Sequence, residues 1–158
     1  MRTLVFVICG VLSLAATLAQ ADDATEQAII KAIIDANAYN RENLRGKPDT
    51  IAAEGSLEFW SSGGLLHEVP ADAPEQEFES FSLNPKHITV ITLVPGQIAI
   101  AQYYSEGSMH LKDGPMISNY RTRATQVFVK EGGQWKVRAA HWSPIAGGAG
   151  TTQTSVDD

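Results

Sequence analysis

Two apolar, strand-like runs near the carboxyl end of the chain meet at a pair of glycines and predict a β-hairpin. The runs are 120–130 and 134–142, and Gly132 and Gly133 lie between them. Both glycines can adopt positive φ angles at little steric cost, which a two-residue primed turn between right-twisted strands requires. Pattern, turn chemistry and polar residues agree only in this stretch, so the rest of the fold is predicted around it.

The glycine turn also predicts which residues face each other across the hairpin. The predicted pairs are Lys130 with Trp135, Phe128 with Val137, Gln126 with Ala139 and Ala124 with His141. Gln126 and His141 would then share one face with aromatic and aliphatic residues. Such a face suits a sheet curled over a ligand cavity, and it equally suits a core in which both polar groups are hydrogen-bonded.

The first 21 residues have the pattern of a secretory signal peptide. Arg2 gives a positive start, residues 4–18 are mostly apolar, and Ala19-Gln20-Ala21 places small residues where a signal peptidase cuts. We therefore expect cleavage after Ala21, a periplasmic or secreted protein, and no membrane association afterwards. The alternative is an uncleaved anchor, but the apolar run is shorter than the roughly 20 residues that a spanning helix needs.

Residues 22–145 are predicted to form one domain, and residues 146–158, which show no periodicity, a flexible tail. The whole chain has 18 acidic and 12 basic residues and no basic cluster, which argues against nucleic acid as a partner. Its single cysteine, Cys9, lies in the predicted signal peptide. The exported domain must therefore be stabilised by packing or by oligomerisation, because no disulfide can form.

A helix is predicted from Asp22 to Asn40, with four isoleucines at helical spacing on one side. They are Ile29, Ile30, Ile33 and Ile34. This stripe predicts a helix that covers one face of a sheet. Asn37 continues the stripe, so it either points into a cavity or forms a hydrogen bond near the helix end.

Strands are predicted at 57–60, 86–94 and 97–106, a short helical turn at 51–53, and a loop at 107–115. Alternation along the strand 97–106 places Gln102, Tyr104 and Glu106 on one side and Tyr103 on the other. We expect the first three to face the interior and Tyr103 to cover the outer face or a dimer contact. The order of elements is an α+β plan in which one strongly bent sheet buries the isoleucine stripe.

The chain from Ala24 to Pro144 resembles the nuclear transport factor 2-like superfamily, in particular its SnoaL-like and calcium/calmodulin-dependent kinase II association-domain-like branches. The residues that carry this resemblance are Thr125 to Val137, His141-Trp142-Ser143, Leu83-Asn84-Pro85 and Ile98-Ala99. The resemblance implies a cone-shaped, curved antiparallel sheet, or half barrel, with the amino-terminal helix packed across its mouth. It also implies an internal pocket and a homodimer formed through the convex sheet face.

The same resemblance bears on ligand and mechanism. Gln102 and Gln126 stand where the association-domain branch carries pocket arginines, so a neutral, partly apolar small molecule is expected rather than an acid. Ketosteroid isomerase and SnoaL-like enzymes place a carboxylate base on a strand that faces the cavity. Glu131 is the only acid between Thr125 and Ser143, and it lies at the hairpin turn. Glu106 is therefore the remaining candidate base.

Five residues are predicted to bind the ligand: Trp60, Gln102, Tyr104, Gln126 and His141. Glu106 and His141 are also predicted as a proton-transfer pair, because desolvation in a cavity brings both proton affinities towards neutrality. The alternative places Glu106 in water at a strand end and hydrogen-bonds His141 to the backbone. Neither a metal nor a cofactor is predicted, since the four histidines lack ligand spacing and no nucleophile or dinucleotide motif occurs.

Three functional hypotheses follow. The first is an exported protein that binds a small molecule in a conical, mostly apolar pocket. The second is a cofactor-free isomerase, cyclase or lyase that uses Glu106 and His141. The third is a homo-oligomeric assembly module without a ligand.

Overall fold

The structure, a computed structural model, describes residues 4–145 and 147–150, with side chains from Asp22 onward. The described chain contains α1 (Leu4–Asn43), β1 (Ser56–Phe59), β2 (His67–Val69), β3 (Phe78–Val94), β4 (Ile98–Leu111), β5 (Met116–Glu131) and β6 (Gln134–Pro144). Within it, no helix is long and apolar enough to cross a lipid bilayer. The side chains of the predicted signal peptide, residues 1–21, and residues 151–158 of the predicted tail lie outside the described part, so both remain predictions.

The isoleucine stripe of α1 packs against the sheet. Ile29 and Ile33 are 0% and 6% exposed, and they cluster with the small side chains of Ala99 and Ala101 on β4. Alanines at these positions let the helix approach the strands closely. Ile34 is 50% exposed and lies outside this contact, so the buried stripe is narrower than the sequence predicted.

The six strands form one open sheet in the order β2-β1-β6-β5-β4-β3. Strands β3 to β6 make an antiparallel meander, β1 and β2 make a hairpin, and β1 pairs with β6 in parallel. This confirms the predicted α+β fold, a cone-like half barrel with α1 across its mouth. The sheet is mixed rather than purely antiparallel, because β1 joins the open edge of β6 in the same direction.

The two strands under the helix are longer than predicted. β3 begins at Phe78, and β4 continues through Gly107 to Leu111, where a loop was expected. Gly107 has φ 145°, and a Cβ atom there would lie only 1.9 Å from the carbonyl oxygen of Ser82. Glycine therefore lets β3 and β4 remain in contact at this point, and the strands extend into a second apolar cluster that contains Phe81 and Met109.

The hairpin register agrees with the prediction only near the turn. Lys130 faces Trp135 and Phe128 faces Val137, but beyond Arg138 the pairing shifts by one residue. The observed pairs are Val127 with Ala139, Gln126 with Ala140, Thr125 with His141 and Ala124 with Trp142. Arg138 is the extra residue of a β-bulge, and each side chain after it on β6 faces the side opposite to the one predicted.

The bulge coincides with a change of neighbour on the other edge of β6. Before it, Ile51 forms a parallel bridge with Val137, and after it Leu57 of β1 pairs with Ala139. The prediction of a helical turn at 51–53 is also wrong, because this segment pairs with β6. The backbone there is extended to bond β6, with Ala52 N–H donating to Val137 O at 2.9 Å and Val137 N–H donating to Thr50 O at 2.7 Å.

Residues 147–150 are held against β5, beyond the predicted domain boundary at 145. Ala149 bridges Tyr120 in parallel, and its N–H donates to Asn119 O at 2.8 Å. Gly150 lies so close to the loop after β1 that a Cβ atom would be 2.1 Å from the carbonyl oxygen of Ser61. Residues 147–150 are therefore packed against the sheet and the loop after β1.

Two substitutions on α1 test the packing of the helix. Ile29→Ala should lower the free energy of unfolding by about 2 to 5 kcal/mol, because it leaves a cavity where the helix meets β4. Ile34→Ala removes the same atoms from an exposed position and should change it by no more than about 0.5 kcal/mol. Urea denaturation of both variants measures this difference. Equal losses would show that α1 does not pack through Ile29.

Candidate functional site

A cavity of about 960 Å³ lies between the carboxyl-terminal half of α1, the β1–β2 hairpin and the inner face of the sheet. Ala32, Ala36 and Asn37 line it from the helix, and Phe128 and Val137 line it from the sheet. Asn37 lines the cavity, and its Oδ1 also accepts a hydrogen bond from Arg41 at 3.3 Å near the helix end, so both alternatives that the sequence left open are observed. All three tryptophans of the chain, Trp60, Trp135 and Trp142, also line the cavity.

One row of inward-facing residues crosses four strands and supplies the polar groups at the sheet side of the site. His67 of β2 pairs with Glu58 of β1, Glu58 with Ala140 of β6, and Ala140 with Gln126 of β5. Residues directly opposite each other in a sheet project to the same side. His67, Glu58 and Gln126 all line the cavity, and Ala140 is the small residue between the carboxylate and the amide.

Tyr103 fixes the orientation of Gln126. Its hydroxyl donates to Gln126 Oε1 at 2.8 Å, and its ring meets Trp142 edge to face with centroids 5.7 Å apart. Burial raises the pKa of Tyr103 far above its ordinary value, so the phenol keeps its proton. Oε1 accepts this hydrogen bond, which orients the amide, and the Nε2 group of Gln126 carries the hydrogens that can be donated to a ligand.

Trp60 is fixed by two neighbours at the mouth of the cavity. Its ring stacks on His67, with centroids 4.0 Å apart and planes 9° from parallel. Its Nε1–H donates to Glu58 Oε2 at 2.9 Å. Glu58, Trp60 and His67 therefore form one rigid group of a carboxylate and two aromatic rings, and all three side chains line the cavity.

Two further hydroxyl groups form a buried pair in the site. The oxygens of Ser61 and Tyr120 are 3.3 Å apart in a buried pair, and both residues line the cavity. Tyr120 faces inward because it lies two residues along β5 from the buried Thr122, which pairs with the buried Ser105 on the inner face.

The predicted placement of Gln102, Tyr104 and Glu106 inside the cavity is wrong. On β4 the inner face carries Ala99, Ala101, Tyr103 and Ser105, all buried, and the three predicted residues lie on the outer face. Ile98 and Ile100 lie on the outer face of β4, and their hydrophobicity made that face look like the buried one in the sequence. The helix selects the alanine face because only small residues leave space for Ile29 and Ile33.

Glu106 does not have the environment of a general base. Lys86 Nζ donates to its Oε2 at 2.7 Å on the outer face. This hydrogen bond, together with the charge of Lys86, holds the pKa of Glu106 below its ordinary value, whereas the predicted role required it to rise.

His141 is also on the outer face, as a result of the bulge at Arg138. It is exposed, pairs with Thr125 and meets Phe59 edge to face with centroids 5.7 Å apart. Glu106 pairs with Arg121, which lies four residues from Thr125 along β5. The strands that carry Glu106 and His141, β4 and β6, pair with opposite edges of β5. The predicted catalytic pair is therefore neither adjacent nor inside the cavity.

Of the predicted site residues, Trp60 and Gln126 line the cavity, and their roles in binding stay predictions. Sequence reasoning missed Glu58, His67 and Tyr103. A signal for Glu58 was present, because it lies two residues before Trp60 on a predicted strand and alternation places both on one side. No comparable signal identified His67, whose position depends on the pairing of β1 with β2.

Among the described residues, no three His, Cys, Asp or Glu side chains converge in a way that could hold a metal ion.

Solved structures share this fold at low sequence identity. A proposed aromatic ring hydroxylase from Novosphingobium aromaticivorans is 15% identical, with a TM-score of 0.58 over 81% of this chain and 94% of that chain. A nuclear transport factor 2-like protein of unknown function from Pseudomonas putida is 17% identical, with a TM-score of 0.54 over 85% and 98%. A proposed calcium/calmodulin-dependent kinase II association domain from Exiguobacterium sibiricum is 14% identical, with a TM-score of 0.50 over 75% and 92%.

These similarities show the nuclear transport factor 2-like fold, which the resemblance found in the sequence implied. No protein-family model and no curated protein matches the chain. At identities below 20% the shared fold does not assign an activity.

The burial of Tyr103 predicts a loss of stability at alkaline pH. Its pKa is raised in the folded state, so above about pH 10 the phenol ionises only when the chain unfolds. The stabilisation is complete below that pH and is lost as the pH rises further. Urea denaturation at several alkaline pH values should show a shallower decline for Tyr103→Phe than for the wild type. Tyr104→Phe, which removes an exposed hydroxyl, serves as the control, and identical slopes for wild type and Tyr103→Phe would contradict the prediction.

Proposed function

We propose that this protein binds a small, partly apolar organic molecule in the cavity between α1 and the inner face of the sheet. The observation that carries the proposal is the cavity itself, with a volume of about 960 Å³ and all three tryptophans in its walls. Pockets for small organic ligands typically measure about 300 to 1,000 Å³ and combine apolar walls with a few fixed polar groups.

The fixed polar groups in the cavity support recognition of a particular ligand rather than non-specific filling of the cavity by apolar molecules. Gln126 presents an amide donor that Tyr103 holds in place, and Glu58 presents a carboxylate that Trp60 holds in place. Groups fixed in this way lose little rotamer entropy when a ligand binds. The proposed binding set is therefore Trp60 and Gln126, as predicted from the sequence, together with Glu58, His67 and Tyr103.

The protein acts after export, in the periplasm or outside the cell. This part of the proposal depends on the signal-peptide pattern of residues 1–21, with its apolar run and its small residues before the expected cleavage site. Amino-terminal sequencing of the protein purified from its native compartment tests it. A mature chain that still starts at Met1 would contradict it.

A cofactor-free isomerase, cyclase or lyase is the second candidate, now with Glu58 and His67 in place of Glu106 and His141. Cross-strand pairing places Glu58 and His67 side by side in the cavity, where a carboxylate and an imidazole could move a proton. It ranks second because Glu58 already accepts a hydrogen bond from Trp60, and no hydrogen bond joins Glu58 to His67 in the described chain.

The outer face of the sheet is proposed as a homodimer contact. Its exposed apolar side chains include Leu57, Phe59, Ile91 and Leu93, which are 41% to 54% exposed. An apolar surface of this kind is costly to leave in water and is typical of interfaces. One solved structure with the same fold is described as an association domain, which is compatible with this arrangement. A dimer of this type leaves the cavity available.

Filling the cavity from the helix should prevent ligand binding. Ala36 lines the cavity, whereas Ala38, on the same helix, does not, so Ala36→Phe and Ala38→Phe add equal bulk to different places. Native mass spectrometry of protein purified without denaturant should show a bound small molecule in the wild type and Ala38→Phe, and its loss in Ala36→Phe. Equal occupancy in both variants would refute binding at this site.

If the recovered ligand gains deuterium when returned to the protein in D₂O, the enzymatic candidate replaces simple binding.

A charge on the outer face should separate the proposed dimer. Phe59→Asp places a carboxylate among apolar side chains and should convert the dimer to a monomer, because a desolvated and unpaired charge is costly to bury. Leu65→Asp changes an exposed apolar residue in the loop between β1 and β2 and should leave the dimer intact. Light scattering during size-exclusion chromatography gives the masses. A wild type that is already monomeric would rule out the interface.

A further inference from the structure

We infer that the ligand of this cavity is an organic cation whose positively charged nitrogen is bound by Glu58 beside Trp60. This inference rests on the proposed binding function and specifies its ligand class. It also revises the neutral ligand expected from the sequence, because that expectation considered the glutamines but not Glu58.

The first argument is the balance of charge in the cavity walls. The acidic residues that line the cavity are Asp49, Glu58, Glu68, Asp72, Glu75 and Asp113, and the lysines are Lys47 and Lys112. Lys136 pairs with Asp49 and Arg45 pairs with Glu75, while Lys112 is paired with Glu77. Within the described residues, no salt bridge reaches the remaining four acids. Glu68, Asp72 and Asp113 are exposed and Glu58 is half-buried, so the lining keeps a net negative charge even when Lys47, which has no salt bridge among the described residues, is counted. Such a charge attracts cations and repels anions.

The second argument is the position of Glu58. It is half-buried and faces the cavity from the middle of the polar row, and its only hydrogen bond in the described structure comes from the neutral Nε1–H of Trp60 at 2.9 Å. A carboxylate withdrawn from water needs charged or strongly polar partners. An ammonium group can supply charge and up to three donors, and hydrogen bonds between charged groups are the stronger kind.

The third argument is the ring beside the carboxylate. Trp60 cannot turn away, because it stacks on His67 at 4.0 Å and donates to Glu58. His67 covers one face of the indole and Glu58 is bonded to its N–H edge, so a cation held by Glu58 can use the opposite face, whose electrons attract cations more strongly than those of other aromatic side chains. A carboxylate and a fixed tryptophan together favour a charged amine over an alcohol of the same shape.

The other end of the row sets a second feature of the ligand. Gln126 lies on the second strand from Glu58, with Ala140 between them, so the two backbones are about 10 Å apart. The Nε2 group of Gln126 offers a donor, while its Oε1 already accepts a hydrogen bond from Tyr103. The inferred ligand is therefore an amine with an apolar body and a hydrogen-bond acceptor at the opposite end.

Three probes of nearly equal shape test the charge preference: phenethylamine, 2-phenylethanol and 3-phenylpropionate. Since all three tryptophans line the cavity, tryptophan fluorescence excited at the red edge reports binding of each probe to the purified protein. We expect phenethylamine to bind roughly tenfold more tightly than the alcohol, with the carboxylate weakest. The ratio of amine to alcohol affinity should fall as salt is added, because screening weakens the attraction of charges.

A pair of charge-matched variants locates the effect. Glu58→Gln should remove the preference for the amine, whereas Glu106→Gln, which removes one carboxylate from the outer face, should keep it. If Glu58→Gln does not fold, the salt dependence of the amine-to-alcohol affinity ratio in the wild type still tests the inference. An alcohol that binds as tightly as the amine, a preference that survives Glu58→Gln, or no binding of the amine at millimolar concentration would each overturn the inference. The proposed function is judged separately, by whether Ala36→Phe expels the molecule that copurifies with the wild type.

Discussion

The contact between two isoleucines of α1 and two alanines of β4 determines where every other part of the site lies. Ile29 and Ile33 rest on Ala99 and Ala101, all of them buried. This contact holds α1 close to the sheet at Ile29 and Ile33. The following turns of α1, including Ala36, extend over a region where the sheet carries larger side chains and loops, and the space between them remains open. The cavity is therefore a consequence of where α1 contacts the sheet and where it does not.

The sequence was sufficient for the fold and for the first part of the hairpin. The glycine turn, the helix and the order of the antiparallel strands were predicted correctly, although Ile34 lies outside the buried stripe and β3 and β4 are longer than predicted. The register failed at Arg138, and nothing in the local pattern of β6 indicates a bulge there. The cause is non-local, because β6 changes its other neighbour from the segment at Ile51 to β1 at this residue. A one-residue shift was enough to move His141 from the cavity to the outer face.

The choice of inner face on β4 failed for a different reason. Both faces of that strand contain apolar residues, and hydrophobicity alone favours Ile98 and Ile100 over Ala99 and Ala101. What decides between them is volume, since the helix needs small partners below its isoleucines. A helix stripe of large residues therefore predicts a strand face of small ones. Applied to this chain, that rule would have placed Tyr103 inside and Gln102, Tyr104 and Glu106 outside.

The path of the chain after β6 determines what surrounds the cavity. Gly150 passes against Ser61, which lines the cavity with its neighbour Trp60, and Ala149 is bonded beside Tyr120, another lining residue. Gly150 therefore lies next to the cavity rather than on the far side of the sheet. An affinity tag or reporter joined directly to Gly150 would begin beside the proposed binding site, and its sequence would become part of the environment of the cavity.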